Sequence, residues 1–433
     1  MDRDAIAVGG FVVLFALMAL RVPIGIAMGV VGVGGFALVA SPSAALKLLA
    51  TSPLRTVTDY NLSILPMFIL MGVFATGAGM SRELFRAANA WLGHRKGGLA
   101  YATVTACAFF AAINGSSVAT AATMTTVALP EMRRAGYHVG SAAGVIAAGG
   151  TLGIMIPPSV IFAIYGVLTE QDVGKLFIAG LLPGLLAVAL YFVAIQAMCW
   201  RWPERLPAAE RHGWGERLVA LKDVWATVLL FVGVVGAMYG GVCTVTEAAA
   251  IGAAGALLIG VARGRLPPAK ILDCLVEALR TTASIFVIVI GAFLFGYFLT
   301  ITGTTQKLSQ MMVDLPIGPY GVLTLILLAY LVLGAVMDEL AMILLTVPIV
   351  FPVIVGLGFD PIWFGVIVVM VVELGLICPP VGMNVFVINS MARDVGLGAI
   401  YRGVGPFIAV DVLRLAILAA FPAISLYLPA RMG

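Results

Sequence analysis

"LGIMIPP" at residues 152–158 returns 222 positions later as "LGLICPP" at residues 374–380, and this recurrence decides how the chain is read. Sliding the second half back by the same interval pairs Pro130 with Pro352. It also sets Ser116 of "AAINGSSVATAATM" (111–124) against Asp338 of "LGAVMDELA" (333–341). One offset serving several separate stretches is the signature of two copies of one unit.

The copies are written in apolar residues. Hydrophobic side chains make up 62% of the chain and charged ones only 11%, with a mean hydropathy of +1.10. Bilayer hydrocarbon about 30 Å thick is crossed by roughly 20 apolar residues, and such runs recur from end to end. The composition excludes a soluble globular domain and points to an all-α polytopic membrane protein. The first run, "AIAVGGFVVLFALMAL" (5–20), has no small-residue cleavage site leading into a polar mature region, so it reads as a first transmembrane helix. Cys107, Cys199, Cys243, Cys274 and Cys378 are scattered and odd in number, which fits packing residues rather than a disulfide framework or a metal knuckle. The small net charge of +4 carries no sign of a nucleic-acid partner.

A polar segment with Trp200, Trp202, Trp214 and Trp225 at its edges interrupts the middle. It divides the chain into a first repeat (1–200), a linker (201–223) and a second repeat (224–433). In the first repeat, crossings are expected at 6–20, 22–40, 61–79, 139–169 and 175–199. Five is odd, so the second copy is inverted. Residues 98–134 then enter and leave on one side as a re-entrant hairpin before a broken helix at 139–169. Their partners are a hairpin at 317–356 and a broken helix at 361–391. With the linker in the cytoplasm, only Arg3, Lys47, Arg55, Lys175, Lys307 and Arg431 fall outside. Arg414 lies within the last helix, paired with Asp411 or snorkelling, which leaves 18 of the 25 Lys and Arg inside. Both termini are accordingly expected on the periplasmic side. Between them, 79–98 reads as an amphipathic surface helix, with Leu84, Ala88, Trp91 and Leu92 on one face and Arg82, Glu83, Arg86 and Asn89 on the other.

Backbone in hydrocarbon must be hydrogen-bonded, so a break such as "NGSS" (114–117) belongs where it lines a cavity or holds a ligand. Glycine permits the turn, and freed carbonyls with neighbouring hydroxyls suit a hard cation. "GGTLGIMIPPS" (149–159) and "ELGLICPPVGMN" (373–384) are breaks of a second kind, since paired prolines remove two backbone donors. Matching breaks in inverted halves are the sequence pointer to a transporter site at the bilayer midplane. Asp338 and Glu373 lie in apolar surroundings where a carboxylate costs roughly 2.5 to 3.5 kcal/mol. Residues 308–392 contain no Lys or Arg. A cation or proton is therefore expected at Asp338, whereas Glu373 reads equally well as a structural acceptor and Glu247 as a helix cap. An organic anion would be held by helix N-termini, hydroxyls and co-bound cations.

At this point the residues resemble the large membrane subunit of the tripartite ATP-independent periplasmic (TRAP) transporters, within the ion-transporter superfamily. The resemblance rests on "NGSSVATAATM", "GGTLGIMIPPSVIFAIYG" (149–166), "CTVTEAAAIGA" (243–253) and "ELGLICPPVGMNVFVIN" (373–389), and it covers essentially the whole chain. It implies sodium-driven import of a small organic acid across the bacterial inner membrane by an elevator motion. It also implies a small four-helix membrane subunit and a periplasmic substrate-binding protein as partners, at least two sodium sites, and no ATP. On this resemblance the candidate sodium ligands are Asn114, Gly115, Ser116, Thr151 and Gly153 in the first half, and Gly334, Met337, Asp338, Gly375 and Pro379 in the second. Candidate substrate contacts are Asn114, Ser117, Thr120, Ser159 and Asn384. Two residues depart from the family pattern: Asn114 stands where serine is usual, and Val245 where proline is usual. A free-standing sodium- or proton-coupled symporter is the alternative. A membrane enzyme is disfavoured, because His94, His138 and His212 are the only histidines and no HExxH or GxxxxGK[ST] pattern occurs.

Overall fold

A computed structural model describes residues 2–432, and among these the chain is helical with no strand. The first half runs α1 (Arg3–Ala19), α2 (Ile24–Val39), α3 (Pro42–Val57), α4 (Ile64–Gly77), α5 (Met80–Leu92), α6 (Gly98–Asn114), α7 (Ser117–Arg134), α8 (Val139–Met155), α9 (Val160–Thr169) and α10 (Val173–Arg201). After α11 (Trp214–Asp223), the second half runs α12 (Trp225–Tyr239), α13 (Val245–Ala262), α14 (Pro268–Thr302), α15 (Thr304–Val313), α16 (Gly318–Gly334), α17 (Glu339–Gly356), α18 (Pro361–Gly375), α19 (Met383–Met391) and α20 (Leu397–Ala420). Six spans are long and apolar enough to cross a bilayer, and up to eight if each of two bent pairs counts as one. This is a multi-pass membrane protein.

The order of elements recurs at the interval read from the prolines. Adding 222 to the bounds of α7 gives the bounds of α17, and adding it to α3 and α4 together gives most of the 35-residue α14. One difference stands out: the first half bends by 57° between α3 and α4, where α14 runs unbroken.

Helix α3 lies between the crossings expected at 22–40 and 61–79, where the sequence reading assigns no element. Lys47, Thr51, Ser52 and Arg55 lower the hydropathy of this stretch below that of a crossing. Local chemistry nevertheless makes a helix: the Ser41 hydroxyl accepts from the Ala44 N–H at 3.2 Å, Pro42 occupies the first turn, and Ala45, Ser52 and Thr56 form one buried face. The linker likewise contains a helix, α11, started by Glu216 reaching back to the Gly213 N–H at 3.2 Å. There His212, 3.0 Å from Glu216, holds that carboxyl below its usual range.

Outer helices α2, α4, α13 and α14 pack together. A side chain at Gly25 would meet the backbone of Ile288 at 2.7 Å, and one at Gly32 that of Leu294 at 2.5 Å, so small residues let α2 lie directly on α14. Inside this frame, α6 and α7 fold onto α8, while α16 and α17 fold onto α18 and α9. Helix α5 joins frame to hairpin, and its burial differs from the amphipathic reading. Trp91 is 37% exposed, whereas Glu83 is 3% exposed and sits under the frame. Its carboxylate accepts from Arg263 at 2.9 and 2.6 Å, and Arg265 lies 2.5 Å away. These arginines lie 180 or more positions along the chain, beyond the reach of any helical-wheel argument.

Glu83→Ala leaves both guanidiniums without this acceptor, and a lost hydrogen bond to a charged group is worth about 1.5 to 3 kcal/mol. A lower unfolding temperature in detergent is expected, with Glu83→Asp closer to the parent. Equal midpoints for Glu83→Ala and the parent would show that this contact does not hold α5.

Candidate functional site

The turn between α6 and α7 is made by Gly115 at φ +65°, a left-handed conformation that favours glycine. Ser116 then caps α7, its hydroxyl accepting from the Ala119 N–H at 3.4 Å, and the Thr120 hydroxyl donates back to the Ser116 carbonyl at 2.7 Å. Asn114 Nδ2 donates to Thr120 Oγ1 at 3.4 Å. The tip is thus a knot of short polar side chains, tied to the break between α8 and α9 by the Val160 N–H donating to the Gly115 carbonyl at 3.4 Å.

The second tip repeats the design. Val381 N–H donates to the Ala335 carbonyl at 3.2 Å, joining the break between α18 and α19 to the α16–α17 turn. The two tips are seated against equivalent glycines. A Cβ on Gly153 would lie 2.4 Å from the Ser116 carbonyl oxygen, and one on Gly375, 222 positions later, 2.8 Å from Gly334 backbone. Each break therefore approaches its tip backbone to backbone. The first is enclosed, with Pro157, Pro158 and Ser159 buried, whereas Pro379 and Pro380 are exposed. The hydroxyl of Tyr401 donates to the carbonyls of Pro380 and Val381 at 3.0 and 2.6 Å.

Candidate substrate residues from opposite halves meet. Asn384 Nδ2 donates to the Ser117 hydroxyl at 2.8 Å and to the Ala147 carbonyl at 3.1 Å, and all of these groups are buried. Ser159, also buried, caps α9 by accepting from Phe162 N–H at 3.3 Å. Asp338 caps α17, accepting from the Leu340 N–H at 3.1 Å. Met337 is buried beside it.

Glu339 is a residue that sequence reasoning missed. It is 7% exposed, its Oε2 has no hydrogen-bond partner, and no Lys or Arg lies within 4.0 Å of it or of Asp338 among the described residues. The signal was available: stepping back 222 positions from Glu339 reaches Ser117. The second tip thus carries two adjacent carboxylates, and one oxygen of Glu339 is buried without a partner among the described residues. The first tip supplies hydroxyls and carbonyls with no carboxylate among its candidate ligands.

Glu373 finds its partner beyond 308–392, the stretch without Lys or Arg. Arg414 Nη2 donates to Glu373 Oε2 at 2.5 Å and lies 3.1 Å from Asp411 Oδ1, with all three side chains buried. Asp411 Oδ2 accepts from the Tyr191 hydroxyl at 2.8 Å, and that hydroxyl is 3.0 Å from Thr151 Oγ1. The network spans the repeat, because Thr151 and Glu373 at its two ends are 222 positions apart. Thr151 also donates to the Ala148 carbonyl of its own helix at 2.7 Å. Glu247 is a cap as read, accepting from the Thr244 N–H at 2.8 Å in a reciprocal capping box.

With this geometry in view, the family model described as "Tripartite ATP-independent periplasmic transporter, DctM component" matches residues 11–424. The chain belongs to this family. It is 38% identical to the C4-dicarboxylate TRAP transporter large permease protein DctM of Pseudomonas aeruginosa, over 90% of each chain. It is 34% identical to the isethionate TRAP transporter permease protein DctMQ of Oleidesulfovibrio alaskensis, over 96% of this chain and 65% of that one. Among solved structures, the YdaH transporter of Alcanivorax borkumensis superposes with a TM-score of 0.63 at 14% identity, covering 88% of this chain and 89% of that one, a likeness of fold. The protein is a transport component of the membrane, and its relatives are named permeases.

Arg414→Met strands two buried carboxylates, which costs about 3 to 5 kcal/mol when a buried pair is broken from one side. Adding Glu373→Gln and Asp411→Asn is expected to recover most of the lost unfolding temperature in detergent. A triple variant no more stable than Arg414→Met would contradict the pairing.

Proposed function

We propose that the protein imports a small organic acid across the bacterial inner membrane, driven by sodium and moved by an elevator motion of the hairpins and broken helices against the outer frame. On this reading the second repeat is inverted and both termini are periplasmic. A periplasmic binding protein delivers the cargo, and a small membrane subunit completes the complex. The family's tripartite description and the dicarboxylate and isethionate named for relatives support an anionic cargo.

One observation carries the ion coupling: among the described residues Asp338 and Glu339 at the second tip have no basic side chain within 4.0 Å, and Glu339 Oε2 is buried without a partner. A sodium ion there is cargo, and it relieves a local excess of negative charge in a region of low dielectric. A second ion at the first tip would use Ser116 and nearby carbonyls of Asn114 and Gly115. With both ions bound, a carboxylate can sit between the tips near Ser117 and Asn384 without a buried lysine or arginine of its own.

Asp338→Asn and Glu339→Gln each remove one charge with little change of shape, and Ser116→Ala removes one hydroxyl while sparing the backbone. The carboxylate variants are expected to raise the half-saturating sodium concentration about tenfold or more, equivalent to about 1.4 kcal/mol of lost binding. Ser116→Ala is expected to have a smaller effect. Unchanged sodium dependence in correctly folded Asp338→Asn and Glu339→Gln would remove sodium from the second tip.

A further inference from the structure

Beside the first tip the molecule opens into two adjoining cavities, of about 380 and 270 Å³, that share Gly77, Gly79, Arg82 and Lys270. Thr76, Arg82 and Lys270, from α4, α5 and α14, line the larger one from the frame side. Thr123 and Thr126 of α7 line it from the hairpin side. The cavity begins within a helical turn of the tip. On α4, Gly72 abuts Asn114 and Thr76 stands four residues further on; on α7, Thr120 binds Asn114 and Thr123 stands three residues further on. A third cavity of about 290 Å³ shares Thr126 and Met391 with the larger one, and Arg133 and Asp394, paired at 2.8 Å, lie in its wall.

The charges here are not explained by the stability of the helices that bear them. Arg82 and Lys270 are each the third residue of their helix, α5 and α14, where the positive end of the helix dipole disfavours a cation. Both are exposed, and neither has a carboxylate within 4.0 Å among the described residues. The carboxylate in the cavity wall, Glu83, is already engaged by Arg263 and Arg265, and Arg86 faces Asp223 at 3.6 Å. Two cations with no carboxylate partner among the described residues thus line one crevice at the start of α5.

We propose that this crevice is a binding site for the organic carboxylate on its way out of the first tip, with Arg82 and Lys270 holding its negative charge opposite the hydroxyl of Thr123. The word "out" rests on the import reading and its topology; the site itself rests on the cavity and its charges. An anion held between sodium-loaded tips loses its counter-charge when sodium leaves. A cationic station one turn away draws it onward, and exposure to water keeps that hold weak enough for release.

The test uses the full chain in liposomes and reads the local potential directly. Thr126→Cys is modified by an anionic sulfonatoethyl and by a cationic trimethylammonioethyl methanethiosulfonate, and the labelled Thr126→Cys peptide is quantified by mass spectrometry apart from the native cysteines. Relative to a free thiol, the anionic reagent is expected to be favoured by about threefold or more. Added R82Q and K270Q should abolish that preference, whereas added K270R retains it. Equal relative rates with and without R82Q and K270Q overturn the proposal. In the complete transport complex, with succinate as the C4-dicarboxylate probe, R82Q with K270Q is expected to raise the half-saturating internal concentration for efflux, and an unchanged value overturns the exit role. A parent complex that moves no succinate under a sodium gradient bears on the import reading instead, because the labelling arm needs no transport.

Discussion

Everything in this structure depends on the rule that a peptide group inside hydrocarbon must have a hydrogen-bond partner. Two hairpin turns and two proline-paired breaks violate helical continuity in an otherwise apolar molecule, and each is made tolerable by the other. The break of the first half donates from Val160 to Gly115, and that of the second from Val381 to Ala335. Small residues are required at the contact, because Gly153 and Gly375 bring main chain against main chain. Such contacts leave carbonyls and hydroxyls concentrated at the tips, the feature on which the proposed ion binding rests.

Between the two breaks lies a second device. The chain from Thr151 through Tyr191, Asp411 and Arg414 to Glu373 links equivalent positions of the two halves through entirely buried groups. A buried network of this kind is costly to form and costlier to disrupt in part. It ties α8 to α18 through α10 and α20, and Glu373 Oε1 and Arg414 Nε and Nη1 within it have no hydrogen-bond partner among the described residues.

The repeat, the hairpins and the breaks were legible because they are written in residues whose backbone preferences are strong: paired prolines, and glycine beside serine. What escaped were contacts between distant segments. Glu83 reads as part of a polar face because Arg263 and Arg265 are supplied by the distant α13–α14 connection, and Glu373 reads equally as structural acceptor or ion ligand because its arginine lies 41 residues downstream. The helix α3 was hidden by the polar residues that make its exposed face. Arg82 and Lys270 were visible as charges in the topology count. Their placement at two helix starts facing one crevice needed coordinates.

On the proposed reading a sodium gradient drives this chain to move an organic acid. The most direct measurement is uptake of a labelled C4-dicarboxylate into liposomes holding the chain and its small membrane partner, with the loaded binding protein outside and sodium imposed from that side. The account predicts accumulation that requires both the inward sodium gradient and the binding protein. Accumulation that persists when potassium replaces sodium on both sides would contradict it.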